Sequence, residues 1–327
     1  ITRDGSGATV ASGTQVVIVL TDVTNQQHEG SSGTFPLFKT TLSDGTTAID
    51  ESSAESDAIG TVPPAVTFTP SGFGGTTPTI VPVSLVAGAT TTATVTFTTG
   101  NPWTNDGKLI FEVPNTFTNV AAASVAITSG IDGGFSVAQT GTTTTLASTL
   151  KTAGGPWVVT ITRDGSGATV ASGTQVVIVL TDVTNQQHEG SSGTFPLFKT
   201  TLSDGTTAID ESSAESDAIG TVPPAVTFTP SGFGGTTPTI VPVSLVAGAT
   251  TTATVTFTTG NPWTNDGKLI FEVPNTFTNV AAASVAITSG IDGGFSVAQT
   301  GTTTTLASTL KTAGGPWVVT ITRDGSG

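Results

Sequence analysis

The chain has 327 residues, of which 10% are charged, and its formal net charge is −14; cysteine and methionine are both absent. An acidic balance of this size repels phosphate groups and anionic lipid surfaces, so we exclude a nucleic-acid-binding protein. Without cysteine, neither disulfides nor thiolate metal sites can form. No apolar run reaches the ~18 residues that a membrane span requires, and we predict no such span in this segment.

The sequence repeats itself. Residues 1–160 recur without substitution as residues 161–320, and a third copy begins at Ile321. A period of 160 residues is longer than that of solenoid repeats and matches one independently folding domain. Because no copy is specialised, we predict that repetition itself, and no single site, provides the function.

Adjacent prolines mark the boundary between repeats. Pro63 and Pro64, with their copies Pro223 and Pro224, have no N–H to donate and cannot lie in a helix or a central strand. We therefore predict a short Pro-rich joint. It divides the chain into the C-terminal part of one module (1–62), a complete module (63–222) and the N-terminal part of the next (223–327).

Short runs of alternating apolar and polar residues, separated by Gly, Pro, Asn and Asp, predict the strands of the complete module. In Thr92–Thr98 the odd positions are apolar and the even ones are Thr, as in a half-buried antiparallel strand. Val176–Leu180 is apolar throughout, which predicts a strand covered on both faces. The other runs, in chain order, are Val66 and Phe68; Val81, Val83 and Leu85; Leu109, Phe111 and Val113; Ala123, Val125 and Ile127; Phe135–Val137; Thr142–Leu150; Trp157, Val159 and Ile161; and Phe195 and Leu197.

The predicted fold is all-β. About eight to ten short strands suit two packed antiparallel sheets. The turn Asn105-Asp106-Gly107, which precedes the run at Leu109, is typical of a hairpin. We predict one two-sheet β-sandwich for each 160-residue repeat.

Three stretches carry a resemblance to a known family: Thr94–Trp103 followed by Asp106–Pro114, then Val177–Asn185, and Gly193–Asp204 leading into Ala208–Glu211. The chain resembles the tandem immunoglobulin-like (Ig-like) repeats of microbial cell-surface proteins, namely adhesin stalks, S-layer-like proteins and secreted filaments. The resemblance implies tandem Ig-like modules at the cell surface or outside the cell.

No catalytic motif is visible. The one histidine of each repeat, His28 and its copy His188, lies in the polar stretch Asn-Gln-Gln-His-Glu-Gly. Glu112 is the lone acid inside a predicted strand, so no pair of carboxylates is placed for glycosidase chemistry. We predict that the chain is not an enzyme and has no catalytic residues.

Acidic residues cluster just before the second joint, at Asp204, Asp210, Glu211 and Asp217. Calcium prefers six to eight oxygen ligands, and acidic side chains near a hinge could supply them. The spacing does not match the EF-hand pattern, and solvated acidic loops are common. These four residues are the calcium candidates, and the sequence predicts no other cofactor or metal.

Aromatic and hydroxyl side chains offer further candidates. Trp157 lies on an inward strand face and is expected in the core. Trp103, in a loop, either packs within its own domain or stacks on a sugar or a neighbouring module. Thr and Ser near Pro, as in Thr76–Thr79, and the threonines of 141–145 are candidates for O-linked glycans. Lys108 and Lys151, with Glu112 as the acid, are candidates for an isopeptide crosslink.

The sequence therefore predicts an extracellular or cell-surface filament or stalk, in which identical modules give length and stiffness. The alternative is a multivalent adhesin, in which each module binds a carbohydrate or a receptor and repetition supplies avidity. The predicted partners are the neighbouring modules. We expect residues 225–242, an extended stretch with several Gly and Pro, to add a strand to the open edge of the preceding module.

Overall fold

In a computed structural model of the protein, the described residues are 1–54, 60–120, 125–140, 156–214, 219–274, 276–277, 286, 288–290, 293, 295–300 and 317–325. The chain forms two compact units, Ile1–Thr69 and Pro70–Gly327. The predicted module boundaries at 62/63 and 222/223 stay a prediction. The described residues form β-strands and no helix, which confirms the all-β class. No part of the chain that the structure describes is therefore a helix long and apolar enough to cross a bilayer.

Each unit consists of short strands. In the first unit they are β1 (Gly30–Ser31), β2 (Leu37–Thr41), β3 (Ala48–Ser53) and β4 (Thr67–Phe68). The second unit begins with β5 (Thr79–Pro82), β6 (Thr90–Thr98), β7 (Lys108–Val113), β8 (Asn119–Val120), β9 (Val125–Ser129), β10 (Phe135–Thr140), β11 (Trp157–Arg163), β12 (Gln175–Thr184), β13 (Gly190–Ser191), β14 (Leu197–Thr201), β15 (Ala208–Ser213) and β16 (Thr227–Phe228). It continues with β17 (Thr239–Pro242), β18 (Ala253–Thr256), β19 (Lys268–Val273), β20 (Phe295–Thr300) and β21 (Trp317–Arg323).

We call residues 70–229 the central region, residues 1–69 the leading segment and residues 230–325 the trailing segment. The central region contains two five-stranded antiparallel sheets. The first sheet has the strand order β10-β11-β7-β14-β15, and the second has the order β5-β6-β12-β8, with β9 also pairing with β12.

Side chains of both sheets meet in one hydrophobic core. Phe97 of β6 and Phe198 of β14 are fully buried, and their ring centroids lie 5.4 Å apart in an edge-on arrangement. The predicted alternation is confirmed in three strands, where the inward residues are Ala93, Val95 and Phe97 of β6, Leu109, Phe111 and Val113 of β7, and Trp157, Val159 and Ile161 of β11. Period-two patterning therefore identifies which face of each of these strands is buried.

Two sequence interpretations are wrong in detail. In β5 the buried residues are Ile80 and Pro82, whereas Val81 and Val83 point outward and are largely exposed. The pairing with β6 explains this, because Ile80 lies opposite the inward Val95 and Val81 opposite the outward Thr94. A proline is tolerated at this position because β5 is an edge strand.

The central strand β12 is not covered on both faces. Val176, Ile178 and Leu180 are buried, but Val177 and Val179 are only half-buried. On the outer face these two valines lie between Thr residues of β6 and the small residues Ser129 and Ala126 of β9. Small neighbours leave part of each valine in contact with solvent, so an unbroken apolar run does not by itself show burial on both faces.

Outside the central region, copies of the same sequence keep the same pairing. β2 and β3 pair from Leu37 opposite Ser53, just as β14 and β15 pair from Leu197 opposite Ser213. In the trailing segment, β19, β21 and β20 form a three-stranded sheet, and β17 pairs with β18. Local sequence therefore fixes hairpin register even where fewer strands are present.

Candidate site: the joint between consecutive repeats

The chain arrives in the central region next to a buried carboxylate. Asp210 in β15 is fully buried, and its oxygens accept hydrogen bonds from the Ser71 hydroxyl (2.7 Å), the Gly100 N–H (2.9 Å) and the Asn101 N–H (2.9 Å). The Asn101 side-chain amide donates to Ser71 Oγ at 2.9 Å. One acid thus fixes the first residues of the central region to the loop that follows β6.

The electrostatics of Asp210 reflect two opposing effects. Burial raises the pKa of its carboxyl above the ordinary value, because a charged group loses hydration inside the protein. The hydrogen bonds from Ser71, Gly100 and Asn101 lower that pKa, because they stabilise the ionised form. Burial is the larger effect, so the net direction is upward.

The chain leaves the central region along a different set of contacts. Val226 O accepts from Ser192 N at 2.8 Å, and β16 pairs with β13. Phe228 is 2% exposed, with its ring centroid 5.5 Å from that of the buried Phe117. Thr229 then bonds on both sides, donating from N to Leu85 O at 2.9 Å and accepting from Ala87 N at 2.8 Å.

The backbone enters the central region at one end of β6 and leaves it at the other. Gly74 N donates to Thr98 O, at the last residue of β6, whereas Thr229 bonds to the turn that immediately precedes Thr90, the first residue of β6. We call the end near Thr98 the upstream end and the end near Ala87 the downstream end. A strand of 9 residues is about 30 Å long, so the backbone traverses the central region from end to end.

The next copy begins immediately at the downstream end. Asn261, the copy of Asn101, donates from its side-chain amide to Ser231 Oγ at 2.9 Å and to Ala87 O at 3.2 Å. Gly88 has φ +73°, and a Cβ placed there would overlap the Asn261 carboxamide. Only Pro230, whose ring fixes φ, separates Thr229 from Ser231. The joint is therefore short and requires glycine at position 88.

A buried arginine organises the loops at the upstream end. Arg163 is 3% exposed, and its Cζ lies 5.3 Å from the ring centroid of Trp103. Its Nη1 donates to Thr104 O at 2.8 Å and its Nη2 to Ala168 O at 2.6 Å, while Asp132 Oδ1 lies 3.5 Å from Nη2. Burial lowers the pKa of Arg163, and the nearby carboxylates, Asp132 first, oppose that shift.

Sequence reasoning did not single out Arg163, and it named Asp210 only as a calcium candidate and not as a buried group. Arg163 ends the alternating run Trp157–Arg163, at a position that continues the buried face. Asp210 likewise belongs to a strand, in which Ala208 and Ile209 are also buried, and not to a solvated acidic loop. A sequence signal for burial was present in both cases. Arg163 ends a run of strand-forming residues, and Asp210 lies inside one.

The four calcium candidates have different surroundings. Asp204 is exposed, and its carboxylate caps a turn by accepting from Thr206 N (2.8 Å), Thr207 N (2.9 Å) and Thr207 Oγ1 (2.5 Å), which lowers its pKa. Asp210 accepts the three hydrogen bonds given above, Glu211 lies opposite Lys199 in the ladder, and Asp217 falls outside the described residues. Within the described ranges, no three acidic or histidine side chains are grouped as for a metal ion. Calcium binding stays a prediction.

Two of the four tryptophans, Trp103 and Trp157, lie in the core of the central region. Trp103 is fully buried, with its ring centroid 6.1 Å from that of Phe97, so it packs within its own domain and is not available to stack on a sugar. Trp157 is 4% exposed, and its Nε1 donates to Phe117 O at 3.1 Å.

The remaining candidates are more scattered. His188 is exposed, and its Nδ1 lies 2.8 Å from Glu189 O. Lys108 and Glu112 lie on the same strand, four residues or about 13 Å apart, and an isopeptide crosslink with Glu112 as the acid stays a prediction. Lys151 and residues 141–145 lie outside the described residues. The predictions that the chain is not an enzyme and that it carries O-glycans are not tested by this geometry.

The segment 225–242 makes two kinds of contact. Thr227–Phe228 pairs with Gly190–Ser191, across the predicted boundary at 222/223, whereas Thr239–Pro242 pairs with Ala253–Thr256 in the same copy. Strand addition between modules stays a prediction.

The sequence matches no protein-family model and no curated protein.

Proposed function

We propose that the repeats are Ig-like β-sandwich modules of an extracellular filament or cell-surface stalk, whose role is to provide length and stiffness. The support comes from the path of the backbone through the central region. Because the chain arrives at one end of β6 and leaves at the other, each copy adds its full length to the array. A module with both ends on the same side would add far less.

Stiffness is supported by the joint at the downstream end. Thr229, the last residue of the central region, is hydrogen-bonded to Leu85 and Ala87. Ser231 is hydrogen-bonded to Asn261 of the next copy, and the conformationally restricted Pro230 lies between Thr229 and Ser231. The bond from Asn261 to Ala87 adds a direct contact between consecutive copies. A joint with one intervening residue and contacts on both sides limits bending more than a flexible Gly/Ser linker does.

The two sheets and their shared core support the Ig-like assignment. Ten strands in two antiparallel sheets, with one face of each sheet packed inward, are the architecture that this class of module uses. Stability in such an array is a sum of module and joint contributions, so the loss of one module leaves the others folded.

Electron microscopy of the native material tests the proposal. We expect a thin fibre of beads with one bead for each 160-residue repeat, spaced on the order of 40–60 Å. Isolated globular particles would contradict it.

A further inference from the structure

A parallel bridge holds the upstream end of the central region. Ser71 lies beside Asp210 of β15, with both backbones running in the same direction. The Ser71 N–H donates to Ile209 O at 3.4 Å, and Ser71 O accepts from Glu211 N at 2.8 Å. The carboxylate of Asp210 adds the 2.7 Å bond from the Ser71 hydroxyl. We call this set of contacts the upstream bridge.

A second parallel bridge holds the downstream end. Thr229 lies beside Val86, with both backbones running in the same direction. It donates from N to Leu85 O at 2.9 Å and accepts from Ala87 N at 2.8 Å. The Thr229 hydroxyl also donates to Leu85 O, at 3.3 Å. We call this set of contacts the downstream bridge.

Tension along the array loads both bridges along their strands. The chain runs downstream after Ser71, because β5 is antiparallel to β6 and proceeds from Thr79, opposite Thr96, to Pro82, opposite Ala93. A pull on the array therefore draws the first residue of the upstream bridge upstream and the last residue of the downstream bridge downstream. Hydrogen bonds of a bridge that is sheared in this way must break together, whereas bonds that are peeled break one after another.

An aromatic ring next to each bridge connects it to the core. Phe73 follows the upstream bridge, and its ring centroid lies 5.5 Å from that of Phe97. Phe228 precedes the downstream bridge, and its ring centroid lies 5.5 Å from that of Phe117. Movement of either chain end along the direction of tension draws a phenyl ring out of the core. Opening of a bridge therefore leads to unfolding of the module.

We infer that the two bridges are the contacts that bear tension in each module and that the downstream bridge yields first; this inference rests on the proposed filament function. The bridges lie in series along the chain, so the same tension passes through both and the weaker one sets the unfolding rate. Thr229 is exposed, and water competes for its hydrogen bonds. Asp210 is fully buried, where a low local dielectric strengthens the bond from Ser71.

Constant-force unfolding of single chains tests this inference. Thr229→Pro removes the N–H that donates to Leu85 O, and it keeps the extended backbone that Pro230 already favours at the preceding residue. With the force applied at the two chain ends, we expect the central region to unfold about fivefold faster than in the natural chain, as for one hydrogen bond lost from the barrier. If the proline prevents folding, Thr229→Ala loses only the hydroxyl bond, and an acceleration of about twofold is expected.

A proline two residues earlier is the matched control. Ser192 N donates to Val226 O, so the alternation of an antiparallel pair turns the N–H of Thr227 away from β13. Thr227→Pro should therefore unfold under force at the rate of the natural chain. Equal acceleration by Thr227→Pro and Thr229→Pro would overturn the inference.

A second point of attachment separates bearing tension from ordinary stability. The natural chain has no cysteine, so Glu189→Cys gives one attachment point at an exposed residue. Force between the N-terminal end and residue 189 crosses the upstream bridge but not the downstream bridge. In this geometry Thr229→Pro should leave the unfolding rate unchanged, whereas Ser71→Ala should raise it. Acceleration by Thr229→Pro in both geometries, or in neither, would overturn the inference.

The order of failure is tested by the same variants. Between the chain ends, Ser71→Ala should leave the unfolding rate unchanged, because the downstream bridge limits it; acceleration there would show that the upstream bridge yields first. Electron microscopy tests the filament independently. Beaded fibres without the dependence on attachment point would leave the proposed function and remove only the role of the bridges, whereas isolated particles would remove the filament whatever the force measurements show.

Discussion

The hydroxyl of Ser71 donates a 2.7 Å hydrogen bond to the carboxylate of Asp210, which lies 139 residues further along the chain. This contact joins the first residues of the central region to one of its last strands. Asp210 also binds the loop that follows β6, through the N–H groups of Gly100 and Asn101. The upstream end of the region is therefore fixed by one buried acid.

Removing that acid is expected to destabilise the central region. Asp210→Ala leaves three donors without their acceptor, and we expect a loss of about 3 kcal/mol in the free energy of unfolding. Asp50→Ala is the matched control, because Asp50 has the same neighbours in sequence but is exposed; we expect less than about 0.5 kcal/mol. Urea unfolding of the two variants measures the difference. Equal effects would contradict the role assigned to Asp210.

The pKa values of Asp210 and Asp204 are expected to lie on opposite sides of the ordinary aspartate value of 3.8. Burial raises the pKa of Asp210 above 3.8, so the folded state binds more protons than the unfolded state just above that pH, and stability falls as pH rises through this window. Hydrogen bonds, that from the Thr207 side chain first, lower the pKa of Asp204, so its contribution is lost as pH falls below 3.8.

Carbon-13 NMR of the side-chain carboxyl groups measures both titrations directly. We expect the midpoint of Asp210 above 3.8 and that of Asp204 below it. Asp210→Asn should remove the fall of stability with rising pH and leave the Asp204 titration unchanged. The reverse order of midpoints would show that the hydrogen bonds outweigh burial at Asp210.

Replacing the buried arginine by lysine is expected to weaken the upstream loops. Arg163→Lys keeps the charge but loses the planar fork that reaches Thr104 O and Ala168 O together, and the stacking on Trp103. We expect a loss of about 2–3 kcal/mol in the free energy of unfolding. Arg3→Lys, at an exposed copy of the position, should change stability by less than about 0.5 kcal/mol. A thermal or urea transition of Arg163→Lys that matched the natural chain would argue against this role.

A methyl group at position 88 is expected to disrupt the joint. Gly88→Ala and its copy Gly248→Ala both place alanine at positive φ, but the added Cβ meets Asn261 at the first position and nothing within 4 Å at the second. Both should lose about 1–2 kcal/mol through backbone strain. Hydrogen–deuterium exchange at residues 230–233 and 258–262 should accelerate in Gly88→Ala alone. Equal acceleration in both variants would mean that Asn261 does not contact this end of the central region.

Much of the strand pattern follows from sequence, and the exceptions have physical causes. Alternation identified the buried faces of β6, β7 and β11, because Thr or other polar residues mark their outer faces. It gave the wrong face for β5, where both faces carry apolar residues and the register with β6 decides.

The contacts that bury Asp210 could not have been predicted from local pattern. The side-chain partners of Asp210 lie more than 100 residues away in sequence, so no local pattern identifies them. Trp103 shows the same limit, since its loop sequence left packing in its own domain and stacking on a sugar or a neighbouring module both open, and its contacts with Phe97 and Arg163 depend on the assembled sheets.

Small-angle X-ray scattering of chains with different numbers of repeats tests the end-to-end path most directly. If each copy is traversed from its upstream to its downstream end, the maximum dimension should increase by a constant amount, on the order of 40–60 Å, for every added repeat. A dimension that grows only as a small power of chain length, as for a single compact globule, would contradict it.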